Sequence, residues 1–145
     1  MRRSGFTLVE MLVVLTILGL AMAVVAPAIN RGLGGSLSEI ARDLQVDLRK
    51  ARSQAVTRQR SVVLWVDVER RVYTLERGKP RSIPEGIVIK TKVASTETRG
   101  TQAGIRFFAD GSSTGGTLQL VQEGAVMALE VDWLTGRVSL REGNE

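Results

Sequence analysis

Arg2-Arg3-Ser4-Gly5-Phe6-Thr7-Leu8-Val9-Glu10 leads directly into Met11–Ile29, a run of 19 residues without a charge. The run holds four Leu, two Ile and four Val. Wound as a helix it spans about 28 Å, close to the thickness of a bilayer core. Each of those ten side chains favours insertion by ~0.3–0.6 kcal/mol. Arg2 and Arg3 precede the run, so the positive-inside rule places the N-terminus in the cytoplasm and the rest of the chain across the membrane. A cleavable secretory signal also has a basic start and an apolar run, and Ala21-Met22-Ala23 offers it a small-residue cleavage site. Two features oppose that reading. The run continues past the site to Ile29, and Glu10 lies inside the apolar stretch that begins at Phe6. An ionised Glu costs about 2–3 kcal/mol near the centre of the hydrocarbon and less near its edge. A disposable signal has no use for that cost.

Beyond this segment the hydrophobic period changes twice. Arg31-Gly32-Leu33-Gly34-Gly35 is expected to loosen the chain, and Ser36 with Glu39 forms an S-x-x-E capping box at which helix restarts or continues. Leu37, Ile40, Ala41, Leu44, Leu48, Ala51 and Ala55 share one helical stripe. After residue 60 the pattern is that of strands. Ser61–Val68 and Arg71–Glu76 read as a hairpin, ended by Gly78-Lys79-Pro80. Ile87–Val93 alternates, with Ile87, Ile89 and Thr91 opposite Val88, Lys90 and Lys92. Ala94–Gly104 is rich in Ser, Thr and Gly and reads as a mobile surface loop. Ile105–Phe108, Thr117–Val121, Ala125–Asp132 and Arg137–Arg141 complete the strands. The fold class is α+β: a long N-terminal helix followed by antiparallel sheet.

Composition narrows the function. The 145 residues include no His and no Cys. This removes most catalytic bases, the thiol nucleophile, zinc-finger patterns and disulfides. Asp67, Asp110 and Asp132 are spread over different segments, so no catalytic constellation is visible and an enzyme is not expected. The net charge of +5 hides an asymmetry. Residues 49–81 hold ten Lys/Arg and three acids, while residues 107–145 hold two Arg and six acids. Such a molecule could stack head to tail with copies or relatives of itself; the same asymmetry could equally be solvated surface.

Asp110–Gly116 reads as a turn, with Asp accepting backbone N–H bonds and Gly supplying positive φ. It lacks the Lys-Ser/Thr pair of a P-loop, and Asp110 is its only carboxylate, so neither phosphate nor calcium is expected there. Trp133 is expected as a core anchor or turn cover rather than a partner contact.

The N-terminal stretch resembles the class III signal of type IV pilins and type II secretion pseudopilins. The resemblance implies that a prepilin peptidase cuts after Gly5 and methylates the new N-terminal Phe6. Residues 1–5 would be the leader and 6–30 the transmembrane assembly helix. Residues 31–145 would be a periplasmic domain that includes the lower half of one long helix lying against a sheet. Pro27 falls where many members of that family carry a helix-kinking Pro. Cleavage would create a charged amine at Phe6, and staggered helices would bring one subunit's Glu10 beside a neighbour's amine. Losing either charge then leaves the other uncompensated, at about 3–5 kcal/mol. Alternatively, Glu10 lies near the interface and simply snorkels.

Phe107-Phe108-Ala109-Asp110-Gly111-Ser112-Ser113-Thr114-Gly115-Gly116 resembles the F-x-P-D-G-S-S-T-G-G signature of the GspH family of minor pseudopilins, with Ala109 in place of Pro. Val131-Asp132-Trp133-Leu134-Thr135-Gly136-Arg137-Val138 resembles that family's closing hairpin. The calcium-loop pattern of the major pseudopilin is not found. The resemblance implies a structural subunit of a type II secretion pseudopilus in the inner membrane. Its partners would be the prepilin peptidase and other major and minor pseudopilins, with no cofactor, metal or small-molecule substrate. A FimT/FimU-like minor type IV pilin is the alternative, with DNA binding in uptake as a further one. The basic stretch Arg49–Arg81 with Arg137 and Arg141 speaks for DNA. Few aromatics, no nucleic-acid motif and an acidic C-terminal third speak against it.

Overall fold

The computed structural model describes residues 8–33, 37–76 and 78–144. They divide into two compact units, one formed by the first helix and one by everything from Leu37 onward. Helix α1 covers Leu8–Leu33, so Arg31–Leu33 continues the helix where a looser chain is expected from the sequence. The expected leader, the scissile pair Gly5-Phe6 and the capping residue Ser36 lie outside the described residues.

Along α1 the large apolar side chains from Leu8 to Met22 are all exposed, among them Leu12, Leu15, Ile17 and Leu20. A helix that is apolar on every side needs lipid or other helices around it. Thr16 turns its hydroxyl back to donate to the Leu12 carbonyl at 2.7 Å, which satisfies it within the helix. Among the described residues no helix is long and apolar enough to cross a membrane; the described side chains of α1 end at Met22.

The second unit begins with helix α2, Leu37–Arg58. Leu37, Ala41, Leu44, Leu48, Ala51 and Ala55 of the stripe are buried, and Ile40 packs against them partly buried. Three alanines on the buried face let the helix axis come close to the strands. The strands are β1 Val62–Asp67, β2 Val72–Leu75, β3 Arg81–Ser82, β4 Val88–Val93, β5 Thr98–Arg99, β6 Gln102–Phe107, β7 Gly116–Gln122, β8 Ala125–Val131 and β9 Val138–Asn144. They form two antiparallel sheets, ordered β3-β2-β1-β6-β5 and β4-β7-β8-β9. Strands of both sheets contact α2, namely β1, β2 and β6 of the first and β7, β8 and β9 of the second. Leu44, Leu48, Leu64, Ile105, Phe107, Leu118, Leu120 and Leu129 fill the space between, all fully buried. The expected alternation of the fourth strand is present: Ile87 and Ile89 are buried, while Val88 is 55% exposed.

The segment Ala94–Gly104 departs from its expected loop. It holds a single 3₁₀ turn at Ser95–Glu97, strand β5 and the start of β6. Its polarity misleads because its charge is paired inside the fold. Glu97 is buried, and Arg106 donates to its two carboxylate oxygens at 2.6 and 3.1 Å. Ala103 is buried opposite Val66, and β6 begins at Gln102, three residues earlier than the apolar pattern suggests. Gly104 sits beneath the Trp65 ring, where a Cβ would stand 2.8 Å from the ring edge. Arg99 lies over Trp65 at 4.6 Å.

Candidate functional site: a clasp of two turns on the second helix

The segment between β6 and β7 and the turn between β8 and β9 are far apart in sequence but meet on α2. In the first, Asp110 accepts from the Ser112 amide and hydroxyl at 2.9 and 2.6 Å. These bonds favour the charged carboxylate and hold its pKa below the usual range. In the second, Asp132 accepts from the Thr135 amide at 2.7 Å, the Thr135 hydroxyl at 2.8 Å and the Leu134 amide at 3.1 Å. Its pKa is likewise lowered, chiefly by the two Thr135 bonds. Both carboxylates therefore act as turn-formers.

The two turns lock through glycine. Gly136 has φ +62°, and a Cβ there would stand 2.2 Å from the Gly111 carbonyl oxygen and 2.9 Å from Arg52 Nε. Arg52 Nε donates to that same carbonyl at 3.1 Å. Helix, first turn and second turn thus meet at one point that tolerates only hydrogen. Gly115, at φ +70°, gives a second close approach: its Cβ would lie 3.0 Å from the Trp133 Cβ. Between them the Ser113 amide donates to the Trp133 carbonyl at 2.8 Å. Gly116 lies beneath the Lys92 carbonyl, 3.0 Å from where its Cβ would be.

The amides of residues 111 to 115 are each engaged, by the Phe108 carbonyl, Asp110, the Trp133 carbonyl, the Arg106 carbonyl and the Ser113 hydroxyl in turn. An anion cradle needs such groups turned outward; here they hold the segment together. Among the described residues no group of three or more His, Asp or Glu is placed to hold a metal ion.

Asp110, Gly111, Gly115, Gly116, Trp133 and Gly136 are therefore brought together, while Asp67 stands apart at the end of β1. Its carboxylate accepts from the Arg70 amide at 2.9 Å, from Gln102 and from Thr101, the first of these lowering its pKa most. Trp133 is a correction: its side chain is 66% exposed and anchors no core. Its backbone carries the packing, because the turn that places its carbonyl on Ser113 points the indole outward beside an equally exposed Leu134. Arg52 is the residue that sequence reasoning missed. It lies off the apolar stripe of α2 and looks like one more solvated base, and no local pattern ties it to Gly111. Glu10 lies in the first turn of α1, and Gly5 and Phe6 lie outside the described residues.

Comparison with known proteins bears on this arrangement. A model of the type II transport protein GspH family matches residues 41–136, the span from α2 through the second turn. The chain belongs to the GspH family. A prokaryotic N-terminal methylation motif matches residues 1–26. The type II secretion system protein H of Xanthomonas campestris pv. campestris is 31% identical over 136 residues, covering 92% of this chain and 80% of that protein. In fold, this GspH-family chain is similar to the minor pseudopilin EpsH of Vibrio cholerae. The TM-score is 0.57 at 13% identity, over 76% of this chain and 98% of that one. It is also similar to the type IV minor pilin FimU of Pseudomonas aeruginosa. There the TM-score is 0.54 at 18% identity, over 72% and 91% of the respective chains. The type IV pilin-like class expected from the sequence is thereby established.

Proposed function

We propose that this GspH-family chain is a minor pseudopilin, a structural subunit of a type II secretion pseudopilus that helps move folded proteins across the outer membrane. The observation that carries the reading is α1: a helix of 26 residues whose large apolar side chains from Leu8 to Met22 are all exposed, with one acid, Glu10, in its first turn. In this reading, prepilin peptidase removes residues 1–5 and Phe6 is N-methylated. The helix of residues 6–30 then sits in the inner membrane, crossing once, with its start cytoplasmic and the domain of residues 31–145 periplasmic. Subunits join by exchanging lipid for the helices of other pseudopilins. In a mature helix that starts at Phe6, four residues of helical rise would set its amine about 6 Å from Glu10 along the axis, one turn away. A stagger of one turn between neighbours therefore brings the amine of one beside the carboxylate of the next. The chain's work is assembly, and no reaction is assigned to it. The fold shared with FimU supports a second reading as a minor pilin; the similarity to secretion protein H over most of the chain favours the pseudopilus.

Glu10→Gln tests the reading because it keeps the shape and removes the charge. Cleavage after Gly5 is expected to persist, and membrane insertion to be no worse. Crosslinking to co-expressed pseudopilins, and secretion, are expected to fall, since an amine in a low-dielectric bundle then lacks its counter-charge. Normal crosslinking and secretion would reduce Glu10 to an interfacial carboxylate.

A further inference from the structure

The clasp borders a groove of about 660 Å³ between α2 and the second turn. Arg49, Arg52 and Arg137 line it, together with the hydroxyl-bearing Ser53, Thr57 and Thr135. Arg52 is tethered through Nε to the Gly111 carbonyl, and Arg49 through one terminal nitrogen to the Val138 carbonyl at 3.4 Å. Each keeps further N–H donors of its fork for another acceptor. Among the described residues no carboxylate forms an ion pair with any of the three. The contrast with neighbouring bases is plain. Arg58 and Arg60 share Glu76, Arg81 reaches Asp43 and Asp47, Arg106 holds Glu97, and Arg141 holds Glu130. The fold pairs these directly and gathers three guanidiniums without a direct ion pair in one concavity, where Arg137 feels the charge of Asp132 on the same turn.

We infer that this groove receives an acidic peptide segment of an adjoining pilin-like subunit, with its carboxylates taken by the Arg49, Arg52 and Arg137 forks. The inference rests on the reading of the chain as a filament subunit. Guanidinium forks match carboxylates in two-point, charge-assisted hydrogen bonds, and the hydroxyls of Ser53 and Thr57 suit the peptide groups between acidic side chains, that of Thr135 being held by Asp132. A nucleic acid fits less well. Its charge is continuous along the backbone, and the ionised Asp110 and Asp132 lie on the same two turns that border the groove. A short acidic segment confines its charge to the groove itself. No aromatic residue lines the groove to stack a base. The chain's own residues 107–145, with six acids against two Arg, carry a net charge of the required sign.

The test uses the full chain, co-expressed with a prepilin peptidase and purified in nonionic detergent. Fluorescence anisotropy is read with a labelled glutamate-rich peptide, its glutamine counterpart and a duplex DNA oligonucleotide. The glutamate peptide is expected to bind, more weakly as salt rises, and the glutamine peptide not to bind. Arg137→Gln and Arg49→Gln, which spare the Arg52 clasp, are each expected to weaken binding roughly tenfold. Failure of the glutamate peptide to bind, undiminished binding by the Arg49→Gln/Arg137→Gln double variant, or binding of DNA in preference to peptide would each overturn the inference. Intact mass of the same preparation separates the two levels. A chain processed at Phe6 that ignores the peptide refutes the groove alone. A different N-terminus refutes the subunit reading, and with it the partner assigned here.

Discussion

Gly136→Ala places a methyl group where the structure holds none. The new Cβ would stand 2.2 Å from the Gly111 oxygen and 2.9 Å from Arg52 Nε, at a backbone φ of +62°. Two costs add. A left-handed conformation costs a non-glycine residue about 1–2 kcal/mol. The methyl group also pushes the two turns apart and breaks the bond from Arg52 to the Gly111 carbonyl, a hydrogen bond from a charged donor worth about 1.5–3 kcal/mol. The total is roughly 3–5 kcal/mol. Gly124→Ala is the control: it shares the positive φ, at +83°, but its Cβ would meet nothing within 4 Å. It is expected to lose only the conformational ~1–2 kcal/mol. Urea unfolding of residues 35–145, followed by circular dichroism, gives both values from the midpoints at constant slope. A gap of about 2 kcal/mol or more between the two variants is expected. Equal losses would refute the clasp, showing that the two turns separate without penalty.

Two further outcomes follow from the buried and turn-forming charges. Glu97→Ala strands the Arg106 guanidinium beside β6 and is expected to cost about 2–4 kcal/mol, while replacing both residues by leucine recovers most of the loss; a double-mutant cycle with no coupling would contradict this. Asp67, Asp110 and Asp132 have folded-state pKa values below their unfolded value of ~3.9. The unfolded chain therefore takes up protons first, so the stability these groups add is complete above about pH 4–5 and is withdrawn as the pH falls through the lowered values. Urea midpoints measured from pH 7 to pH 2 are expected to drop below about pH 4, and to drop less steeply in the Asp110→Asn/Asp132→Asn variant.

The parts of the fold legible in the sequence were those governed by a period. The buried stripe of α2, the β1–β2 hairpin and the alternation of β4 each follow from the spacing of apolar residues. The apolar run of α1 was visible for the same reason. What could not be read depends on pairing across long separations. Glu97 looks like a loop residue until Arg106 is placed beside it, and Arg52 looks like surface until Gly111 and Gly136 arrive from two other elements. Trp133 misled in the opposite direction: an aromatic residue after a strand suggests burial, yet the Asp132 turn points it outward. The glycines of the clasp were legible as a motif, but their reason, a three-way contact with room only for hydrogen, appears only in three dimensions.

Whether the chain enters a filament as a processed subunit is decided by its mature N-terminus. The protein is isolated from membranes of cells that carry a prepilin peptidase, and its intact mass and N-terminal peptide are measured. Loss of Met1–Gly5 and an added methyl group on the amine of Phe6 are expected. A mature chain that begins at Val24, after Ala21-Met22-Ala23, would contradict this, because the helix that carries assembly would then have been discarded.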